Sequence, residues 1–126
     1  MLSTTSIIGF VPTLDAGRSR AFYEGILGIT FVSDDGFALV FRSGSNMIRI
    51  ARVQDFTPAV YTILGWEVSD IAAEVTALTA KGLVFARYPF LPPDQVDALG
   101  IWSAPGGAKV AWFQDPDGNT LSLSQH

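Results

Sequence analysis

The 126-residue chain has no cysteine and a single histidine, His126, its last residue. Without thiols there can be no disulfides, thiolate ligands, cysteine nucleophiles or iron–sulfur sites, and the redox compartment is left open. Charge is also scarce: 16% of residues are charged against 48% apolar, a balance that argues against disorder. The 8 basic residues are scattered and outnumbered by 12 acidic ones, so no basic patch exists to meet a phosphate backbone. Nucleic acid is not an expected partner. No apolar run approaches the roughly 18 residues of a membrane span. The opening "MLSTTSIIGF" lacks the basic start and long apolar stretch of a secretory signal, so a cytoplasmic location is expected and no membrane partner.

What the chain does contain is enough apolar material for one domain with its own core, and it reads as two similar halves. The first runs from a strand-like "SIIGFV" into "LDAGRSRAFYEGILGITFV", the second from "YTILGWEV" into "SDIAAEVTALTAKGLVF". Asp15 and Asp70 stand where a helix N-cap accepts an orphan N–H. Gly28 and Gly82 stand just past each helix, where a left-handed residue is wanted. Ile71, Val75 and Leu78 recur at the spacing of a buried helical stripe. Short strand candidates follow: "FALVF" answers to "KVAWF", and "NMIRI" to "NTLSL". An α+β fold of two βαβββ modules is predicted, at about 6–53 and 61–126 of a single domain spanning 1–126. An insertion at about 86–105 interrupts the second module.

The segment "DPDGN" (115–119) is turn chemistry: Pro116 presets φ and Gly118 tolerates a positive one. An EF-hand loop would need its glycine at position 6 and a glutamate at position 12, and neither is present.

Together, "LDAGRSRAFYEGILGITF" and "WFQDPDGNTLSL" resemble the opening and closing motifs of the vicinal oxygen chelate superfamily, which includes glyoxalases, bleomycin-resistance proteins and dioxygenases. The resemblance covers essentially the whole chain. It implies a curved mixed sheet wrapped around a cleft, usually completed by a homodimer. In the metalloenzymes of the family, one position on the first and fourth strand of each module holds a cation. Anchored on the motifs, those four positions read Ile8, Arg49, Ile63 and Ser122. Two alkyl chains, a guanidinium and a hydroxyl do not make a divalent-cation site, and a one-residue shift brings in no better donor. No metal and no cofactor are expected. His126 reads as a frayed terminus.

Strand alternation assigns the faces. Ile48, Ile50, Leu64, Trp66, Val68, Leu121 and Leu123 belong under the helices. Ile8, Phe10, Met47, Arg49, Ala51, Ile63, Gly65, Glu67, Thr120, Ser122 and Ser124 belong to the cleft. Of the neighbours Trp112 and Phe113, one faces each way. Arg49 and Glu67 either neutralise each other or snorkel to water, or else Arg49 meets an anionic or carbonyl-bearing ligand. In the insertion, Tyr88, Phe90, Leu91 and Trp102 lie among prolines, and either pack back on the protein or form a lid over a flat ligand. A metal-free protein that sequesters or carries a small planar molecule is the expected function, with the resistance proteins as the nearest analogy. The alternative is a glyoxalase-like lyase, isomerase or dioxygenase, either metal-dependent or using Glu67 as base beside Arg49.

Overall fold

A computed structural model describes residues 1–126. The chain divides into two compact units, Met1–Pro58 and Ala59–His126. Unit 1 runs β1 (Ile8–Thr13), α1 (Ala16–Arg20), β2 (Thr30–Asp34), β3 (Ala38–Ser43) and β4 (Asn46–Arg52). Unit 2 runs β5 (Leu64–Glu67), α2 (Ile71–Ala80), β6 (Trp102–Ser103), β7 (Lys109–Gln114) and β8 (Thr120–Gln125). The sheets have matching orders, β1-β4-β3-β2 and β5-β8-β7-β6, with a parallel first pair and antiparallel pairs after it. Each unit is thus a βαβββ module, as predicted.

The helix ends follow from their caps. Asp15 accepts from the Arg18 N–H at 3.1 Å and Asp70 from the Ala73 N–H at 3.1 Å, while Gly28 and Gly82 adopt φ of 71° and 95°. These are the N-cap and the left-handed exit that the sequence calls for. The first helix departs from the expectation after one turn. From Ala21 to Ile26 it widens into a π-helix, with the Leu27 N–H reaching the Phe22 carbonyl. The adjacent aromatics Phe22 and Tyr23 are both buried by this wider turn, and they meet edge to face at 5.3 Å.

Alternation along the strands then sorts each sheet into two faces. In unit 1, Val11, Leu39, Phe41, Ile48 and Ile50 are buried under the helix, and Tyr23 packs on Phe41 with centroids 6.1 Å apart. In unit 2, Ile71, Val75 and Leu78 of α2 are buried with Ala111, Phe113, Leu121 and Leu123. Leu64, Trp66 and Val68, read as core, are only half-buried, because β5 is an edge strand.

The insertion is held against its own module at several points. Residues after α2 form no strand until Trp102–Ser103, which takes the sheet-edge place that β2 holds in unit 1. The Arg87 guanidinium donates to the carbonyls of Asp97 (3.0 Å) and Ala98 (2.9 Å), and the Asp97 carboxylate accepts from the Leu99 and Ile101 N–H groups. The loop is therefore tied down by polar contacts as well as stiffened by proline. "DPDGN" is the turn between β7 and β8. Buried Asp115 accepts from the backbone N–H groups of Asp117 and Asn119 and from the Asn119 side-chain amide.

Candidate functional site

Within unit 1 the strand register places Phe10 beside Arg49 and Arg49 beside Val40, and one step along, Ile8 beside Met47 and Met47 beside Arg42. These side chains share the sheet face turned away from the helix, since the alternating Ile48 and Ile50 are buried on the other. Ile8, Phe10 and Met47 are exposed there, at 48%, 65% and 39%. Arg49 does not wait for a partner: its guanidinium donates to the Asp35 carboxylate at 2.7 Å. Beside it Arg52 makes a bidentate pair with Asp34, at 2.8 and 2.7 Å.

A β-bulge sorts these two pairs. Phe31 faces Phe41, but the register then slips, so that Ser33 faces Val40 and Asp34 faces Leu39. The slip puts Asp34 on the helix side, with Arg52, and leaves Asp35 for Arg49. Arg52, followed by the Gly36 N–H, holds the Asp34 carboxyl down to about 2. Arg49, followed by the N–H groups of Ala38 and Phe37, does the same for Asp35, also to about 2.

In unit 2 the corresponding face is aromatic. The register sets Gly65 beside Ser122 and Ser122 beside Trp112, with Trp102 beside Val110. Phe113 is fully buried, so Trp112 is the member of the pair that faces away from α2. Trp102 lies tilted against Trp112 at 5.8 Å, Tyr88 meets Trp112 edge-on at 5.5 Å, and Phe90 stacks on Tyr88 at 5.3 Å. The four rings form a continuous row in which Phe90 is 78% exposed. Tyr88, Phe90 and Trp112, with Val60, Tyr61, Thr62 and Thr120, line a pocket of ≈ 120 Å³, and Tyr88 also borders one of ≈ 310 Å³ with Arg87, Leu91 and Pro93. The sequence singles out Tyr88, Phe90 and Trp102 and leaves open which of Trp112 and Phe113 faces the cleft; the burial of Phe113 gives that place to Trp112.

The four family metal positions fall at equivalent places of the two modules. Phe10–Arg49 in unit 1 matches Gly65–Ser122 in unit 2, and Ile8–Met47 matches Ile63–Thr120, where the Ile63 N–H donates to the Thr120 carbonyl. Their chemistry does not fit a cation, for Arg49 brings a positive charge already paired with Asp35, and Ser122 is buried against Gly65. No three His, Asp or Glu side chains converge as ligands anywhere in the chain. Glu67, the candidate base, is 72% exposed and lies 3.2 Å from His126 Nδ1. Arg49 and Glu67, for which mutual neutralisation was one of several readings, each have a partner within their own unit, Asp35 for Arg49 and the terminal His126 for Glu67. No helix is long and apolar enough to cross a membrane.

No family model and no curated protein matches the chain by sequence. Solved structures do match in shape. A member of the glyoxalase/bleomycin resistance protein/dioxygenase superfamily from Sphaerobacter thermophilus superposes with a TM-score of 0.77 at 19% identity, covering 100% of both chains. A bleomycin resistance determinant encoded on the transposon Tn5 gives 0.73 at 22%, covering 98% of each chain. A lactoylglutathione lyase from Agrobacterium tumefaciens gives 0.73 at 16%, covering 99% of this chain and 96% of that one. At such identities shape is what the likeness establishes, and together with the two observed βαβββ modules it gives this chain the fold of the glyoxalase/bleomycin resistance protein/dioxygenase superfamily.

Proposed function

We propose that this protein binds a small planar organic molecule without the help of a metal ion, and that it sequesters or carries that molecule rather than transforming it. The observation that carries the reading is the row Phe90–Tyr88–Trp112–Trp102 on the open face of unit 2. Rings presented side by side offer large, rigid contact area to a flat ligand at low entropic cost. The Ser122 hydroxyl, opposite Trp112 in the register, adds hydrogen-bonding capacity. A bleomycin resistance determinant shares this fold, which is in keeping with a role toward a small molecule. The donor set at the four family positions supports the metal-free part of the proposal. Glu67 gives little support to a catalytic one, because an exposed carboxylate beside an exposed imidazole lacks the desolvation that tunes a general base.

A homodimer is part of the same proposal. Ile8 and Phe10 on the edge strand β1 and Val60, Tyr61 and Phe90 in unit 2 are all exposed apolar groups that a second copy would cover. Light scattering at micromolar concentration is expected to give twice the chain mass; a monomer would contradict it. Ligand binding is tested by titrating planar aromatic compounds and following tryptophan fluorescence. Saturable quenching is expected, largely lost in Trp112→Phe and retained in Trp66→Phe. Turnover of a glyoxalase or dioxygenase substrate, with no saturable quenching, would replace the binding reading by the enzymatic one.

A further inference from the structure

Five of the six arginines are engaged: Arg20 with Glu24 and the Phe31 ring, Arg49 with Asp35, Arg52 with Asp34, Arg87 with two carbonyls, and Arg18 with further partners of its own. Arg42 has no hydrogen bond, ion pair or ring contact, although the chain carries 12 acidic residues against 8 basic ones. It stands on β3 between Thr30 and Met47, on the open face of unit 1. Beside it is a pocket of ≈ 210 Å³ whose walls include Val32, Val40, Met47 and Ser45. Val32 is there because of the bulge: with Phe31 facing Phe41 and Ser33 facing Val40, residue 32 is the extra one and stays 49% exposed. Arg42 is exposed, so its guanidinium is open to an incoming anion. The side chain has apolar walls on both neighbouring strands and a free hydroxyl group nearby at the β3–β4 hairpin.

We propose that this pocket is a binding site for a small aromatic carboxylate, with Arg42 as its anion anchor. The volume is below the roughly 300–1,000 Å³ of pockets for drug-sized ligands, so the occupant has one or two rings. The planar guanidinium matches a carboxylate fork, and Val32 and Met47 cover the ring. Arg49, the cation that the sequence pointed to, is discounted for this role because a ligand would have to displace Asp35 from it. The site lies wholly within unit 1 and does not depend on the aromatic row of unit 2 or on the function proposed from it.

The test uses naphthoate and its uncharged isostere naphthamide, with binding located by amide and indole chemical-shift changes in the full-length protein. Naphthoate is expected to shift the amides of residues 30–33 and 40–47, and naphthamide to bind there far more weakly. Arg42→Gln should weaken naphthoate about 10- to 100-fold, the loss of one charge-assisted hydrogen-bonded pair, and leave naphthamide within about twofold. Arg42→Lys should recover only part of the affinity, since an ammonium lacks the fork. Equal naphthoate affinity in wild type and Arg42→Gln would overturn the proposal, as would shifts confined to the Trp102 and Trp112 indoles; the latter result would leave the aromatic-row function standing. Absence of any naphthoate binding at millimolar concentration would also overturn it.

Discussion

Asp34 and Asp35 are neighbours in sequence, yet each finds a different arginine, and the strand geometry explains why. Adjacent strand residues point to opposite faces, as do Arg49 and Arg52, three apart. Two acids and two bases are thereby sorted into one pair per face, Asp35–Arg49 and Asp34–Arg52. The pattern is visible in "SDDG" and "RIAR" once strands are assigned; what hides it is the bulge at Val32, which decides the parity. A pH dependence follows. Both carboxyls are lowered from an ordinary 3.8 to about 2 in the folded protein, so the unfolded chain takes up their protons first. Their contribution is complete above about pH 4 and disappears as the pH falls toward 2. Urea unfolding midpoints should therefore drop across this window, more weakly at high salt because the pairs are exposed. The variant Asp34→Asn/Asp35→Asn should flatten that drop. An unchanged slope in the double variant would show that other carboxylates govern acid unfolding. Arg49→Ala should act in the same window, by releasing Asp35, with little effect on the core.

At the scale of elements, caps, turns and alternation were legible, and irregularities were not. Asp15, Asp70, Gly28, Gly82 and "DPDGN" each act locally, so a short stretch of sequence suffices to read them. The π-turn at Ala21–Ile26, which carries the buried Phe22 and Tyr23, has no local signal in the sequence, and the β6 edge strand depends on what β7 leaves unpaired. Gly65 shows how closely β5 and β8 approach. A Cβ there would lie 2.9 Å from the Ser122 hydroxyl and 3.3 Å from its carbonyl oxygen. Gly65→Ala should therefore destabilise the protein by about 1–3 kcal/mol, the usual cost of overpacking. Adding Ser122→Ala should restore part of that loss by removing the nearer oxygen. Chemical denaturation of the single and double variants measures both effects. A neutral Gly65→Ala would mean that the strands separate freely and that Ser122 is not held against Trp112.

At the scale of the whole molecule, the duplicated modules were readable because one pattern of cap, glycine, strand and strand occurs twice in the same order. The site was half readable. Tyr88, Phe90 and Trp102 were chosen for composition and meet in one row, but Trp112, which joins them, could be placed only once Phe113 was seen to be core. Arg49, which its position singles out, is paired with Asp35, and that partner lies in a turn that no strand pattern predicts. Two readings compete for this chain: metal chemistry at the four family positions, whose side chains do not fit a cation, and the proposed stacking of a flat ligand on the aromatic row. The most direct test of which governs this chain is the melting temperature of wild type and Trp112→Ala with a panel of planar compounds that carry no carboxylate, antibiotics included, and with Zn²⁺, Ni²⁺ and Mn²⁺. Saturating binding to the native state raises the melting temperature by mass action, by about 2.7 kcal/mol of stability at a hundredfold excess over Kd. The prediction is a rise with at least one planar compound, lost in Trp112→Ala, and none with any of the three metals. A stoichiometric metal-induced rise that persists in Trp112→Ala, with no response to the planar compounds, would contradict it.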